Sequence, residues 1–399
     1  MRKKSVYVDY AATTPVDPRV LKAMAPYWNK IFGNPGSVHH FGQEAMAAVD
    51  MSREKIAEVL GVKFEEVIFT ASTTEANNLV IQGVVDLYRK ESKKKPKVLV
   101  SAIEHESVME VARVLEKEKK IELVILPVDS EGRIKMSVLK RELSEGTALV
   151  SVMCGNNELG TLQDIRKIAA MVKEVRAVSK YPKLHTDAAQ AFLYEEIKPE
   201  GLGIDFMTLS SHKMYGPKGV AVLYARQLQT TGSAERQYGL ASQMPGGGQE
   251  FGLRSGTENV SLIVGVAEAV RLANKDRVKE VKRLRALRKK FVSELRKKKI
   301  KFEVNGPKDE KDLPHILNLR FPGVSAESLL VALDMEGIAA SAGAACSMRS
   351  LEPSKVLMAI GLKEEETKES VRFSFGKGFG EKELRRVVGF LGLIISRLK

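Results

Sequence analysis

The sequence contains little cysteine and no long apolar run. With two cysteines in 399 residues, a disulfide framework is implausible and a reducing compartment is favoured. No apolar run is long enough to cross a bilayer, and no basic-then-apolar leader opens the sequence. We therefore expect a cytoplasmic protein without membrane contact. Cys154 ends an apolar strand, where we expect a buried, inert thiol.

Acidic residues are fewer than basic ones, and the formal net charge is +14. The densest basic stretch, residues 275–301, lacks the aromatic interleaving of nucleic-acid-binding segments, which disfavours nucleic acid as a partner. Its apolar residues recur at helical spacing, at Val278, Val281, Leu284, Leu287, Phe291 and Leu295. The pattern predicts one amphipathic helix with a solvated basic face, which could also attract an acidic protein or an anionic cofactor.

A lysine follows an apolar strand in the stretch SSHKMYGPKG, residues 210–219. Ligands of open α/β sheets bind beyond the carboxyl ends of strands, where Lys213 would lie after a strand at residues 206–209. A desolvated lysine amine attacks aldehydes, while Ser210 and His212 can hydrogen-bond to a phosphate. These groups predict a site for pyridoxal 5′-phosphate (PLP), although such a motif alone is more often a surface loop.

A carboxylate follows a neighbouring strand predicted at residues 181–184, in the motif HTDAAQ at residues 185–190. Asp187 can pair with the protonated pyridine nitrogen of PLP, which keeps the ring an electron sink. Gln190 can donate a hydrogen bond to the phenolic oxygen of the cofactor. An aspartate after a strand is more often a helix cap, but its pairing with Lys213 favours the cofactor interpretation.

Polar side chains follow three other apolar strands, predicted at residues 67–70, 97–101 and 149–153. Thr73 and Thr74 suit a phosphate at a helix start, although a plain helix cap explains them equally well. His105 can stack on a pyridine ring or move a proton, although a lone histidine is more often structural. Asn157 lies in a segment that could be a simple turn. Because five strand ends offer groups that one phosphorylated aldehyde can use, we predict a single site.

The order of predicted elements indicates an α/β protein with a second, smaller part. From about residue 16 to 267, strands alternate with helical stretches such as 75–90, 107–120 and 164–179, which predicts a mainly parallel sheet wrapped by helices. After the basic helix, strands predicted at 300–304, 315–319 and 371–374 indicate a smaller α+β domain. Residues 229–249, polar and glycine-containing, are the nearest candidate for a linker.

These motifs extend over the whole chain and resemble those of class V aminotransferases of PLP-dependent fold-type I. In particular, the chain resembles the cysteine desulfurases of the NifS and IscS type. Further motifs that carry the resemblance are YAATTP (10–15), GNPGSVH (33–39), GGGQE (246–250), RSGT (254–257), SAGAACS (341–347), LEPS (351–354) and VRFS (371–374). The SAGAACS segment, which contains Cys346, distinguishes this group from its relatives.

The resemblance implies a large PLP-binding domain over residues 16–267 with a mainly parallel seven-stranded sheet. Residues 1–15 and 268–399 would form the smaller domain, which carries the cysteine loop. It also implies the cofactor-binding residues Thr73, Thr74, His105, Asp187, Gln190, Ser210, His212, Lys213 and, from the neighbouring subunit, Thr257. The protein would then be a homodimer with shared active sites and no metal.

The resemblance further implies removal of sulfur from L-cysteine to give L-alanine. Lys213 would serve as Schiff-base lysine and base, and His105 would transfer a proton near the substrate thiol. Arg372, assisted by Asn34 and Asn157, would bind the substrate carboxylate. Cys346 would take up the sulfur as a persulfide and pass it to an iron–sulfur scaffold or a sulfur relay protein.

Two other classes of function stay open from the sequence. A selenocysteine lyase or aminotransferase of the same fold would keep Lys213 and Asp187 but need not depend on Cys346. A nucleic-acid-binding protein would show no pyridoxal absorbance, and its affinity would fall steeply with salt.

Overall fold

The computed structural model describes residues 5–177, 179–228, 238–308, 311–343 and 353–398. The strands are β1 (Val6–Tyr7), β2 (Val67–Thr70), β3 (Lys97–Ser101), β4 (Glu122–Leu126), β5 (Thr147–Ser151), β6 (Lys183–Asp187), β7 (Phe206–Ser210), β8 (Ala221–Ala225), β9 (Glu303–Asn305), β10 (Ile316–Arg320), β11 (Ile338–Ala339) and β12 (Ser370–Ser374). The helices are α1 (Pro18–Met24), α2 (His40–Leu60), α3 (Thr73–Ser92), α4 (Glu106–Lys117), α5 (Met136–Glu142), α6 (Ile165–Arg176), α7 (Pro199–Leu202), α8 (Val260–Lys297), α9 (Ala326–Met335), α10 (Lys355–Ala359), α11 (Glu364–Thr367) and α12 (Glu381–Leu398).

A seven-stranded sheet with strand order β2-β8-β7-β6-β5-β3-β4 confirms the mainly parallel sheet expected from the sequence. Strand β8 is antiparallel to both of its neighbours, and the other pairs are parallel. Strands β2, β3, β5, β6 and β7 therefore run in one direction. Their carboxyl ends meet at one edge of the sheet, which brings together the five polar segments identified in the sequence.

Both faces of this sheet are buried. On β3, Leu99 belongs to one hydrophobic cluster, whereas Val98 and Val100 belong to a second cluster on the opposite face. Successive strand residues point to opposite faces, so an apolar run with few polar residues is what a sheet covered on both sides requires. Helices α3 and α4 contribute to the second cluster, and α2 and α8 to the first. Helices on both faces therefore support the sheet edge at which the five polar segments meet.

Two strands of the sheet are displaced from the predicted positions. Strand β5 begins two residues earlier than expected, and β6 lies two to three residues later than the predicted strand 181–184. Polar residues remain within β6 because they find buried partners: the His185 ring lies 2.8 Å from Ser151 Oγ and 3.2 Å from Thr208 Oγ1. Asp187 is thus the last residue of a strand rather than a residue after it.

The predicted helices are present in α3, α4 and α6, with ends that differ from the predictions by one to three residues. The basic helix is also present, as the second half of α8. Leu284, Leu287, Phe291 and Leu295 are buried as predicted, but Val278 is 83% exposed. Its neighbour Arg277 lies in the buried stripe instead. Successive residues of a helix are rotated by about 100°, so the Val278 side chain points away from that stripe.

The strands that follow α8 form smaller sheets, one of which includes β1. Strands β12, β10 and β9 form an antiparallel sheet, and β1 pairs in parallel with β11. This last pairing brings the amino-terminal residues to the carboxyl-terminal part of the chain. Helix α8 crosses position 267 without a break, and one hydrophobic cluster contains residues from both sides of it. The proposed division at residue 267 stays a prediction.

The segment proposed as a linker is packed where it is described. Residues 229–237 lie outside the described residues, but Tyr238 and Leu240 beyond them are buried. The backbone N–H of Ala241 donates to the Gly83 carbonyl of α3 at 2.9 Å. Among the described residues, no helix combines the length and apolar content that crossing a membrane requires.

Candidate active site

Asp187 lies buried at the carboxyl end of β6, in the centre of the sheet edge. Its Oδ2 accepts a hydrogen bond from Asn77 Nδ2 at 3.0 Å, and its Oδ1 accepts one from the Ala189 backbone N–H at 2.8 Å. Two donors from different elements fix the plane of the carboxyl group. A carboxylate held in this way is suited to receive a cationic hydrogen-bond donor.

Lys213 lies in the short 3₁₀ turn Ser211–Lys213 that follows β7. The Lys213 Nζ donates to the backbone carbonyl of Ala11 at 3.0 Å, and Gln190 Nε2 donates to the same carbonyl at 2.8 Å. Ala11 belongs to the YAATTP motif, so the amino-terminal segment forms one side of the site. The amide of Gln190, expected to face a cofactor oxygen, is engaged with the protein here.

His105 follows β3 and caps helix α4. Its Nδ1 accepts a hydrogen bond from the Ser107 backbone N–H at 3.1 Å, so the neutral imidazole carries its hydrogen on Nε2. Burial lowers the pKa of His105, while the Asp187 carboxylate opposes this shift and the Lys213 ammonium adds to it. Because His105 interacts electrostatically with both Asp187 and Lys213, the structure brings these three predicted residues to one place.

The start of helix α3 forms another part of this edge. Ser72 caps the helix, with its Oγ accepting from the Glu75 N–H at 3.1 Å, and its backbone is extended with φ −162°. Thr73 and Thr74 begin the helix; Thr73 is half-buried and Thr74 is exposed. Free N–H groups and hydroxyls at the start of a twenty-residue helix suit an anion.

Ser210 precedes the turn that carries Lys213, and His212 lies within that turn. Ser210 is buried at the end of β7, and the His212 ring lies 3.1 Å from Thr13 Oγ1 through Nδ1. Burial, together with the nearby cations Lys213 and Lys218, lowers the pKa of His212 to about 4. His212 is therefore neutral at physiological pH and acts as a polar side chain rather than as a cation.

Arg372 is buried on β12 and faces Asn157, which follows β5. Its Nη2 forms an ion pair with Asp9 Oδ1 at 2.7 Å, and its Nη1 donates to the Asn157 carbonyl at 2.9 Å. Its Nε has no hydrogen-bond partner. The guanidinium group predicted to bind a substrate carboxylate is thus oriented by protein acceptors, and its Nε–H is left unpaired.

Asn34 and Thr257, also predicted for the site, are exposed in the described chain. The Asn34 side chain accepts from the Gly36 N–H at 2.9 Å. No hydrogen bond between described residues joins the side chain of either residue to the sheet edge. Their roles in the site stay predictions.

Of the two cysteines, the structure describes only Cys154. Cys346 lies outside the described residues, within the gap 344–352. Cys154 is buried as expected, and burial raises the pKa of its thiol to about 12. At neutral pH this thiol is protonated and shielded, so it is a poor nucleophile.

Sequence reasoning missed Asn77 and Ser107. Asn77 Nδ2 donates to Ser107 Oγ at 2.9 Å as well as to Asp187, and Ser107 Oγ lies 2.9 Å from His105 Nδ1. The signal available in the sequence was an asparagine within the apolar stripe of a predicted helix, because a buried amide needs partners from another element.

Comparison with known proteins agrees with this geometry. Residues 6–387 match the family described as aminotransferase class-V, and the chain belongs to that family. Its relatives include "Cysteine desulfurase IscS" of Dictyoglomus turgidum, which is 40% identical over 100% of this chain and 96% of the relative. Within the family, the chain groups with the cysteine desulfurases of the IscS and NifS type.

Two solved structures extend the similarity to the fold. A NifS-like protein superposes with a TM-score of 0.88 at 34% identity, covering 99% of this chain and all of the other. A structure described as SspA in complex with cysteine has a TM-score of 0.79 at 32% identity, covering 93% of this chain and 99% of the other. The fold is that of the PLP-dependent fold-type I enzymes.

Proposed function

We propose that this protein removes the sulfur atom of L-cysteine, giving L-alanine and a persulfide on Cys346. The enzyme class, cysteine desulfurase, follows from the family to which the chain belongs. The observation that carries the proposal for the site is the convergence of Lys213, Asp187 and His105 at one edge of the sheet. The SspA structure with cysteine supports L-cysteine as the substrate.

The groups at this edge fit PLP. Asp187 offers a fixed carboxylate for the pyridine nitrogen, Lys213 an amine for the aldehyde, and His105 a neutral ring for stacking. When bound, PLP supplies an aldehyde for amines and a protonated ring that takes up electron density from the substrate α-carbon. The phosphate would lie at Thr73, Thr74, Ser210 and His212, with Gln190 near the ring oxygen.

Residues around this edge would position the substrate. Arg372 would bind the carboxylate of L-cysteine through its planar guanidinium group, assisted by Asn157 and Asn34. This contact fixes the α-carbon relative to Lys213, which would act as the base that removes the α-proton. His105, neutral and with a hydrogen on Nε2, would transfer a proton at the substrate sulfur.

The sulfur step is assigned to Cys346. Its thiolate attacks the sulfur of the substrate, a sulfur–sulfur bond forms, and the carbon–sulfur bond breaks. The electron pair of the broken bond stays with the carbon fragment, which takes up protons and leaves as L-alanine. An iron–sulfur scaffold or a sulfur relay protein would then receive the persulfide sulfur.

The cellular setting belongs to the same proposal. A thiol nucleophile suits the reducing cytoplasm. Thr257 is exposed and therefore accessible to a second copy of the chain, where it would contact the phosphate of the neighbouring site. This supports a homodimer with shared active sites, which sedimentation of the purified protein would test.

The experiment that tests the function is a spectrum and a product assay on the purified protein with PLP. We expect visible absorbance from bound PLP, a spectral change with L-cysteine, and one alanine for each sulfide released by reductant. Turnover of selenocysteine but not cysteine would indicate a selenocysteine lyase. Amino-group transfer to a keto acid without sulfur release would indicate an aminotransferase. Either result would contradict the proposal.

A further inference from the structure

Glu158 contacts both sides of the gap that contains Cys346. Its Oε2 accepts a hydrogen bond from Ser354 Oγ at 2.6 Å. On the other side of the gap, a side chain at Gly343 would place its Cβ 2.9 Å from the same Oε2. Gly343 has φ +85°, a backbone conformation that favours glycine, and a side chain there would have to displace the Glu158 carboxyl group. One carboxyl oxygen therefore lies against residues 343 and 354.

The position of Glu158 is itself fixed by its own segment. Asn156 Oδ1 accepts from the backbone N–H groups of Glu158 and Leu159, at 2.9 and 2.8 Å, which forms a local turn after β5. Asn318 Nδ2 on β10 donates to the Glu158 carbonyl at 3.3 Å. Glu158 is buried, and burial raises the pKa of its carboxyl group. A buried side chain with its backbone N–H and carbonyl both hydrogen-bonded has little freedom to move.

Both flanks of the gap are anchored to regular structure. Ser354 caps helix α10, with its Oγ accepting from the Leu357 N–H at 3.1 Å. Ser341 exchanges backbone hydrogen bonds with Arg372 on β12, and its Oγ donates to the Gly343 carbonyl at 3.1 Å. The Ser354 hydroxyl thus donates to Glu158 while it accepts from the helix, which fixes its orientation.

The same short segment reaches the predicted substrate-binding arginine. Asn157, adjacent to Glu158, accepts from Arg372 Nη1 through its carbonyl at 2.9 Å. Asn157 therefore contacts Arg372, and Glu158 contacts the two flanks of the gap. This arrangement couples the group that would hold the substrate carboxylate to the ends of the segment that carries Cys346.

We infer that Glu158 is a positioning residue, which holds residues 343 and 354 in place so that Cys346 reaches the sulfur of a substrate bound by Arg372. The inference rests on the proposed desulfurase function. Glu158 acts through the segment that it holds and has no bond-making role. Its loss should impair transfer of sulfur to Cys346 more than binding of L-cysteine, because binding depends on Arg372 and the sheet edge.

The first test needs neither cofactor nor turnover. The rate of Cys346 alkylation by iodoacetamide is measured by mass spectrometry on the protein without PLP, with buried Cys154 as the internal reference. In Glu158→Ala and Ser354→Ala, we expect alkylation to be about fivefold faster, the size of one lost hydrogen bond. Glu158→Gln keeps an acceptor oxygen for Ser354, so its Cys346 alkylation rate should stay within about twofold of the parental rate.

The matched control is Ser325→Ala. Ser325 caps helix α9 by accepting from the Ser328 N–H at 3.4 Å, so its loss removes the same kind of cap away from Glu158. It should leave the alkylation rate unchanged. Unchanged alkylation in both Glu158→Ala and Ser354→Ala would overturn the inference, and the serine variant decides alone if Glu158→Ala does not fold.

The second test separates binding from sulfur transfer with PLP bound. In Glu158→Ala, single-turnover persulfide formation should slow by about tenfold or more, as expected for a misplaced reacting group. The concentration of L-cysteine that gives half of the spectral change should stay within about threefold of the parental value. Equal losses in both quantities would indicate a merely structural role and contradict the inference. If the parent protein itself forms no persulfide, the proposed function fails instead.

Discussion

The side-chain amide of Asn77 donates a hydrogen bond to Asp187, with 3.0 Å between Nδ2 and Oδ2. The same Nδ2 donates to Ser107 Oγ, which lies 2.9 Å from His105 Nδ1. A continuous chain of hydrogen bonds therefore connects the carboxylate proposed for the ring nitrogen with the imidazole proposed for proton transfer. The two groups are therefore oriented relative to each other by hydrogen bonds within the protein.

Replacing Asp187 with Asn tests the charge at the ring nitrogen. The amide keeps the shape of the side chain but cannot hold the pyridine nitrogen protonated, so alanine formation should fall by about 10²-fold or more. Bound PLP, measured by absorbance, should remain. The comparison variant Asn77→Ala retains the carboxylate and should lose much less activity. Near-parental turnover in Asp187→Asn with full cofactor would remove Asp187 from the mechanism.

Replacing Lys213 with Ala tests the amine. Turnover should be abolished, because the same residue would hold the aldehyde and remove the α-proton. PLP should still bind through the other contacts but without the absorbance of a lysine adduct. Lys218→Ala, which changes an exposed lysine in the same loop, is the control and should stay active. Conversion of cysteine to alanine at the parental rate by Lys213→Ala would show that Lys213 is wrongly assigned.

The stability of the fold should depend on pH through Glu104. Burial raises the pKa of this carboxyl to about 8, against the lowering effect of hydrogen bonds from Ser101 and the Met153 N–H. Between its ordinary pKa and about 8, the folded protein holds a proton that the unfolded chain has released. The free energy of unfolding should therefore fall as pH rises through this window, by at most about 1.4 kcal/mol per pH unit from this group.

The Glu104→Gln variant isolates that contribution. Glutamine is neutral at every pH and keeps an acceptor oxygen for Ser101, so the stability of the variant relative to the parent should increase from pH 5 to pH 8. Denaturant unfolding of both proteins at several pH values measures the difference. Glu106→Gln, at an exposed neighbouring position, should follow the parent at each pH. Parallel pH profiles for Glu104→Gln and the parent would refute the prediction.

The sequence predicts which polar residues lie at the sheet edge because these residues follow or end apolar strands. Lys213, Asp187 and His105 each follow or end an apolar strand, and parallel strands bring such ends together regardless of the exact strand bounds. The two-residue displacement of β5 and the displacement of β6 therefore did not disturb the prediction of the site. Five independent strand ends give more information than any one motif.

The supporting residues could not be predicted in the same way. Asn77 lies inside helix α3, and Glu158 lies in a turn, so their importance depends on what packs against them from distant parts of the chain. Val278 shows the same limit for burial, because the exact rotation of a long helix is set by its packing partners. Periodicity gives the stripe, whereas the tertiary contacts decide which residue lies at its edge.

Replacing Cys346 with Ser tests the sulfur step, the most specific part of the proposed function. A hydroxyl nearly matches a thiol in size but is a far poorer nucleophile toward sulfur. The variant should bind PLP and change its spectrum with L-cysteine, yet form almost no alanine.

Labelled cysteine identifies the sulfur acceptor within the protein. After incubation with ³⁵S-cysteine, the parent should carry label that reductant releases from the peptide containing Cys346, and the Ser variant should carry none. Cys154 should stay unlabelled in both, because its buried thiol has a pKa of about 12 and is protonated at neutral pH. The matched variant Cys154→Ala removes the second thiol and should be labelled like the parent. Normal alanine formation by Cys346→Ser, or label on Cys154, would contradict a persulfide on Cys346 and leave only the PLP-dependent fold in place.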